Sequence, residues 1–146
     1  MRLTELQEMW SADARIDETK LGDASLNIPQ LHAKYLNILS STKLTLRKAD
    51  SDYLRMRKVK YRYYRGEMSK MELDERGWEQ WLGTKPLKNE MDEFLSTDDD
   101  LIALQDKTEY FKTLIYHLEQ IMRSLNSRTW DIKNYVEYMK YSQGGY

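Results

Sequence analysis

Residues 101–139 read LIALQDKTEYFKTLIYHLEQIMRSLNSRTWDIKNYVEYM. Within them Leu101, Leu104, Thr108, Phe111, Ile115, Leu118, Met122, Leu125, Thr129, Ile132, Val136 and Met139 recur in alternating three- and four-residue steps, and ten of the twelve are apolar. A helix gathers residues at that spacing into one seam, and a heptad seam this long predicts coiled-coil packing. Leu114, Ile121 and Tyr135 widen the stripe, which favours a bundle or ring over a two-stranded rod. Ser96 or Thr97 can cap the helix, and Asp98, Asp99 and Asp100 lie in its first turn, where the helix dipole favours anions. The helix would be about 65 Å long, more than the rest of a 146-residue chain can cover. Residues 96–141 are therefore expected to assemble subunits. The expected interface comprises Leu104, Phe111, Ile115, Leu118, Met122, Leu125, Ile132 and Val136, and residues 142–146 form a frayed tail.

The sequence upstream is also helical. Thr4-x-x-Gln7 reads as a capping box for a short first helix with Leu3, Leu6, Met9 and Trp10 on one face. Asp17 to Asn27 reads as a connection. Asn27 and Pro29 then suit the start of a long helix, because a first-turn proline lacks only an amide that would be unbonded anyway. Neither Gly nor Pro recurs before Gly66, which gives about 54 Å of helix. Leu39, Leu46, Ala49, Tyr53, Met56 and Tyr63 form its packing stripe, with Thr42 and Lys60 as polar members. Ser69-x-x-Glu72 can cap a short turn. Gly77, Gly83 and Pro86 mark an irregular section whose Trp78 and Trp81 read as buried anchors. Leu87, Met91, Phe94 and Leu95 resume helical spacing. The expected fold is all-α: an N-terminal helical part over residues 1–95, containing a basic helix (about 29–65) and an acidic irregular section (66–95), then the assembly helix.

The composition, with 40% apolar and 32% charged residues and a mean hydropathy of −0.81, gives a thin core that long helices and oligomerisation would explain. There is no cysteine, hence no disulfide or thiolate metal site. No signal-like opening or membrane-length apolar run occurs, so a soluble intracellular protein is expected.

The formal net charge of −1 conceals segregation: residues 34–65 hold ten basic and two acidic side chains, residues 66–109 five and thirteen. The basic block peaks between Tyr53 and Arg65, with six Lys or Arg, four Tyr and no acid. Cations that track phosphates, mixed with rings that stack on bases, suit single-stranded nucleic acid. On a helix Arg55, Lys58, Arg62 and Arg65 share an arc of about 80°, while Arg57, Lys60, Tyr61 and Tyr64 lie elsewhere. Six phosphate contacts on one strand would give a log K against log salt slope of about −4. Tyr53 and Tyr63 belong to packing, leaving Tyr61 and Tyr64 for bases. The competing reading is a solvated basic face paired with the acidic block.

Other classes fit poorly. A membrane or calmodulin-type helix needs a clean apolar face, which Asp52 and Lys60 interrupt. No duplex-DNA motif is evident. His32 and His117 lack motif neighbours, there is no phosphate-binding or dinucleotide loop, and the Asp98–Asp100 triplet lacks the spaced oxygens of a calcium loop. Neither an enzyme nor a metal or cofactor site is expected.

Met1-Arg2-Leu3-x-x-Leu6-Gln7-Glu8, Ile16-Asp17-x-Thr19-Lys20-Leu21, Lys34-x-Leu36-Asn37, Lys58-x-Lys60-x-x-Tyr63-Tyr64, Leu95-Ser96-x-Asp98-x-Asp100 and Arg128-x-x-x-Ile132-Lys133 together resemble the UvsY recombination-mediator family of T-even-like bacteriophages. The resemblance extends to about Lys140 and is weakest over residues 66–94. It implies a ring-like homo-oligomer, heptameric by resemblance, that assembles through its C-terminal region and binds single-stranded DNA. It implies loading of the phage recombinase UvsX onto strands covered by the phage single-strand-binding protein, in the cytoplasm of the infected host, without chemistry of its own. The family's basic pair falls on Lys58 and Lys60. The second is Lys where the best-known member has Arg, so charge is kept and forked phosphate bonding lost, and Arg55, Arg57, Arg62 and Arg65 can compensate. The alternative is a coiled-coil scaffold whose basic helix binds an acidic partner.

Overall fold

The computed structural model describes residues 1–144, and among them every regular element is a helix. These are α1 (Leu3–Asp13), α2 (Leu21–Tyr64), α3 (Lys70–Arg76), α4 (Met91–Ser96) and α5 (Asp99–Ser142). The two long helices have 44 residues each, about 66 Å of rise. Of the tail expected to fray, Ser142 ends α5 and the Gln143 and Gly144 amides donate to the Met139 and Tyr141 carbonyls at 3.0 and 3.1 Å, while residues 145 and 146 lie outside the described residues.

Three boundaries differ from expectation, each through a local hydrogen bond. The α1 capping box uses Arg2 and Glu5 in place of Thr4 and Gln7: the Arg2 amide donates to Glu5 Oε2 at 3.2 Å. α2 starts at Leu21, because Asp17 closes a tight turn in which its carboxylate accepts the Thr19 amide at 2.9 Å and its carbonyl accepts the Lys20 amide at 2.9 Å. Pro29 therefore sits inside the helix, where the cost of one missing bond is borne by a helix long enough to continue. The cap of α5 is Asp98, not Ser96 or Thr97: its carboxylate accepts the Leu101 amide at 3.0 Å, while Ser96 and Thr97 hydroxyls donate back to the Glu93 carbonyl.

Other signals act as the sequence indicates. The chain leaves α2 through Gly66 at φ +72°, with Glu67 N–H donating to the Arg62 carbonyl and Gly66 N–H to that of Tyr63, both at 3.0 Å. A left-handed residue at this point favours glycine. Ser69 caps α3 by accepting the Glu72 amide at 3.2 Å.

The chain forms two compact units, Met1–Lys43 with Lys112–Tyr146, and Leu44–Phe111. The first has a core of Leu6, Leu31, Tyr35, Leu39, Leu114, Leu118, Ile121, Leu125 and Ile132. Trp10 meets Tyr35 edge-on with ring centroids 5.5 Å apart, and Asp13 accepts from Lys34 Nζ at 2.6 Å and the Tyr35 hydroxyl at 2.7 Å. In the second unit Met91, Leu95 and Leu101 are buried, with Tyr53, Met56, Tyr61 and Tyr64 packed on them.

The expected assembly seam divides. Leu118, Leu125 and Ile132 are buried within their own chain, together with Leu114 and Ile121 from beside the seam. Leu104, Phe111, Ile115, Met122 and Val136 remain partly exposed. The widened stripe thus has one flank in the intrachain core and one facing outward. No described helix is long and apolar enough to cross a membrane.

Candidate nucleic-acid interface

The basic segment forms the last turns of α2, within the second unit. Arg55, Arg57, Lys58 and Arg65 are exposed and Arg62 is half-buried. Most carry an acidic neighbour: Arg55 lies 3.5 Å from Asp52, Arg57 3.2 Å from Asp92, Arg62 3.0 Å from Glu72 and Arg65 2.8 Å from Glu67. Both partners of each pair stay at least 39% exposed in their side chains, so each pair is worth at most about 1 kcal/mol and exchanges readily. Of these six cations, Lys58 makes no ion pair with any described residue.

Lys60 stands apart. Its side chain is 8% exposed, and Nζ lies 3.1 Å from Asp98 Oδ2, 2.7 Å from Asp100 Oδ2 and 4.1 Å from the centre of the Trp78 ring. Asp98 also accepts the Tyr64 hydroxyl at 2.6 Å. Burial alone would raise the Asp98 carboxyl, but hydrogen bonds from Tyr64, the Leu101 amide and Lys60 outweigh it and hold the carboxyl below its ordinary value. Burial first, and the same carboxylate second, push the Tyr64 phenol well above its ordinary value.

The linkage has a definite sign. A folded-state pKa below the unfolded one gives stability that is present above the unfolded value of 3.8 and is lost as pH falls through the folded value. Asp98→Asn should therefore flatten the decline of melting temperature with acid below about pH 4. Asp13, depressed despite its burial by Lys34 and Tyr35, should sustain the residual slope.

The tyrosines expected to meet bases have other surroundings. Tyr64 lies edge-on to Trp81 at 5.1 Å and to Phe94 at 5.6 Å. Tyr61 packs on the Met91, Leu95 and Leu101 core, with the Arg65 guanidinium 5.8 Å from its ring. Trp78 meets Tyr63 at 5.4 Å. The two tryptophans are thus half-buried anchors of an aromatic cluster at the end of α2. A Cβ on Gly83 would come within 2.4 Å of the Trp81 ring, so this close approach needs glycine. The competing sequence reading paired the basic face with the acidic block, and Arg57, Lys60, Arg62 and Arg65 do pair with acids of that block; it did not single out Asp98 and Asp100, whose capping role concealed their second use.

The result is an outward arc of Arg55, Lys58, Arg62 and Arg65, backed by an aromatic cluster and one buried ion-pair network. Such an arc can bind a string of phosphates but holds no constellation for covalent chemistry. Residues 9–145 match the family model for the recombination, repair and ssDNA binding protein UvsY. The recombination protein uvsY of Enterobacteria phage T4 is 28% identical over 144 residues, covering 99% of each chain. Crystal structures of the bacteriophage T4 recombination mediator protein UvsY superpose with a TM-score of 0.81 in one lattice, at 28% identity over 99% of both chains. In another the TM-score is 0.84, at 27% identity over 97% of this chain and 99% of that one. With a family match over nearly its whole length and the same fold from end to end, this chain belongs to the UvsY family of recombination mediators.

Proposed function

We propose that this protein binds single-stranded DNA through the end of α2 and mediates recombination, loading the phage recombinase UvsX onto strands covered by the phage single-strand-binding protein in the host cytoplasm. The outward arc of cations at the end of α2, in a member of this family, carries this reading. A phosphate backbone running along the arc would replace the weak pairs to Asp52, Glu72 and Glu67 with contacts to a denser line of negative charge. Arg57 flanks the arc and can take a neighbouring phosphate. Tyr61 and Tyr64 act by shaping the helix end, in keeping with their packing.

A ring-like homo-oligomer, seven-membered by family resemblance, would set several copies of the arc on one strand. Linked sites add avidity without new contacts. Displacement of the resident protein and presentation of the strand then need only cooperative binding, not bond making.

The test is titration of a labelled oligothymidine across a salt series. Five cations outside the buried network predict a slope of about −3.5 for each engaged segment, against about −4 had Lys60 also met phosphate. Arg55→Ala with Lys58→Ala should reduce it by about 1.4. No binding at low salt would overturn the proposal in favour of a scaffold whose basic helix serves an acidic partner.

A further inference from the structure

We propose that Lys60 is a positioning residue of the single-strand site and not one of its phosphate ligands. From its seat between Asp98, Asp100 and Trp78 it fixes the end of α2 so that Arg55, Lys58, Arg62 and Arg65 face one strand. This rests on the function proposed above and assigns Lys60 a different role within it.

Three independent observations carry the assignment. The first is satisfaction. An ammonium has three donors, and those of Lys60 are engaged by two carboxylates, at 3.1 and 2.7 Å, beneath an indole face. Reaching a phosphate would require it to leave both acids and strand Asp98, whose side chain is 4% exposed. An uncompensated buried charge is far costlier than one lost surface contact. The second is direction. Two residues along a helix turn about 200°, so Lys60 and Lys58 point to opposite sides and cannot both face a strand lying along α2. The third is connection. Asp98 caps α5 through the Leu101 amide at 3.0 Å and accepts Tyr64 from the turn after Lys60 at 2.6 Å. One carboxylate therefore ties the Lys60–Tyr64 turn of α2 to the start of α5.

Among the described residues this network leaves no buried side-chain donor or acceptor unpaired. It also accounts for Trp78, which covers Lys60 while touching Tyr63. The aromatic-rich acidic section is thus the mount of the basic helix end, and its acids at 98 and 100 support the site they would otherwise repel.

The test compares full-length Lys58→Ala, Lys60→Met and Asp98→Asn by oligothymidine affinity at several salt concentrations, well below each variant's melting temperature, and by thermal melting. Lys58→Ala should reduce the salt slope by about 0.7 per engaged segment with melting unchanged. Lys60→Met and Asp98→Asn should both lower the melting temperature and weaken binding about tenfold at an unchanged slope. Asp98→Asn decides most sharply: removing a negative charge beside a DNA site should tighten binding if charge alone matters, whereas the positioning role requires weaker binding. If Lys60→Met does not fold, weakening by Asp98→Asn still supports the assignment. A Lys60→Met slope reduced like that of Lys58→Ala, with melting unchanged, overturns it, as does tighter or unaltered binding by Asp98→Asn. If Lys58→Ala also leaves the slope unchanged, the strand does not lie on this arc, and the proposed site itself fails.

Discussion

Ile115→Asp combined with Met122→Asp should dissolve the proposed assembly and weaken binding to a long single strand on the order of 100-fold or more. Both side chains are only partly buried in their own chain, and they occupy the outward flank of the α5 stripe. Two carboxylates there would leave the fold nearly untouched while placing unpaired charge in any apolar seam between subunits, where burial without a partner is prohibitive. Affinity for a short oligonucleotide that one subunit can hold should change little, because each arc is intact. Light scattering gives the mass of the species and a titration with long and short strands gives the affinities. The contrasting substitution is Leu118→Ala. Leu118 is 1% exposed, so its loss should cost about 2–5 kcal/mol of folding stability through a cavity.

Arg128→Ala should destabilise the first unit by about 3 kcal/mol. Arg128 is buried, and its hydrogen-bond partners are carbonyls: its guanidinium donates to Asp13 O at 3.1 Å and Ala14 O at 2.9 Å, with the Trp10 ring centre 5.7 Å away. These carbonyls close the C-terminal end of α1, where a cation also meets the negative end of the helix dipole. For a domain of this size the loss corresponds to roughly 6–12 °C in melting temperature. Protein concentration must be held fixed, because assembly contributes to apparent stability. Both bonds come from the one nitrogen Nη2, so Lys at the same position, which keeps the charge and a multiple donor on a shorter and more strongly hydrated head, should recover part of the loss.

Much of this architecture is legible in the residues themselves. The three-and-four spacing from Leu101 to Met139 specifies α5, and Gly66, Ser69 and the Met91–Leu95 pair specify the elements between the long helices. The starts of α1, α2 and α5 were less legible because several residues near each could cap, and geometry decides among Thr4 and Arg2, Asn27 and Asp17, Thr97 and Asp98. The stripe through Leu39, Leu46, Ala49, Tyr53, Met56 and Tyr63 already included Lys60 as a polar member, which is the face where the structure places it. Reading the same residue as a DNA contact rests on its place in the basic segment and on the family's basic pair, and periodicity alone could not reveal that Asp98 and Asp100 would meet it. Those acids lie 38 and 40 positions further along the chain, a distance over which only tertiary folding pairs charges. Nor could a linear pattern apportion the α5 stripe, since inward and outward flanks carry the same residue types.

On the proposed function, the exposed cations at the end of α2 hold the single strand. Amine modification followed by mass spectrometry, with and without saturating oligothymidine, tests it most directly. Lys58 should be reactive in the free protein and protected by DNA, Lys60 should be unreactive in both, and Lys133 and Lys140 should react equally in both. Lys58 keeping its full reactivity under saturating DNA would contradict the account.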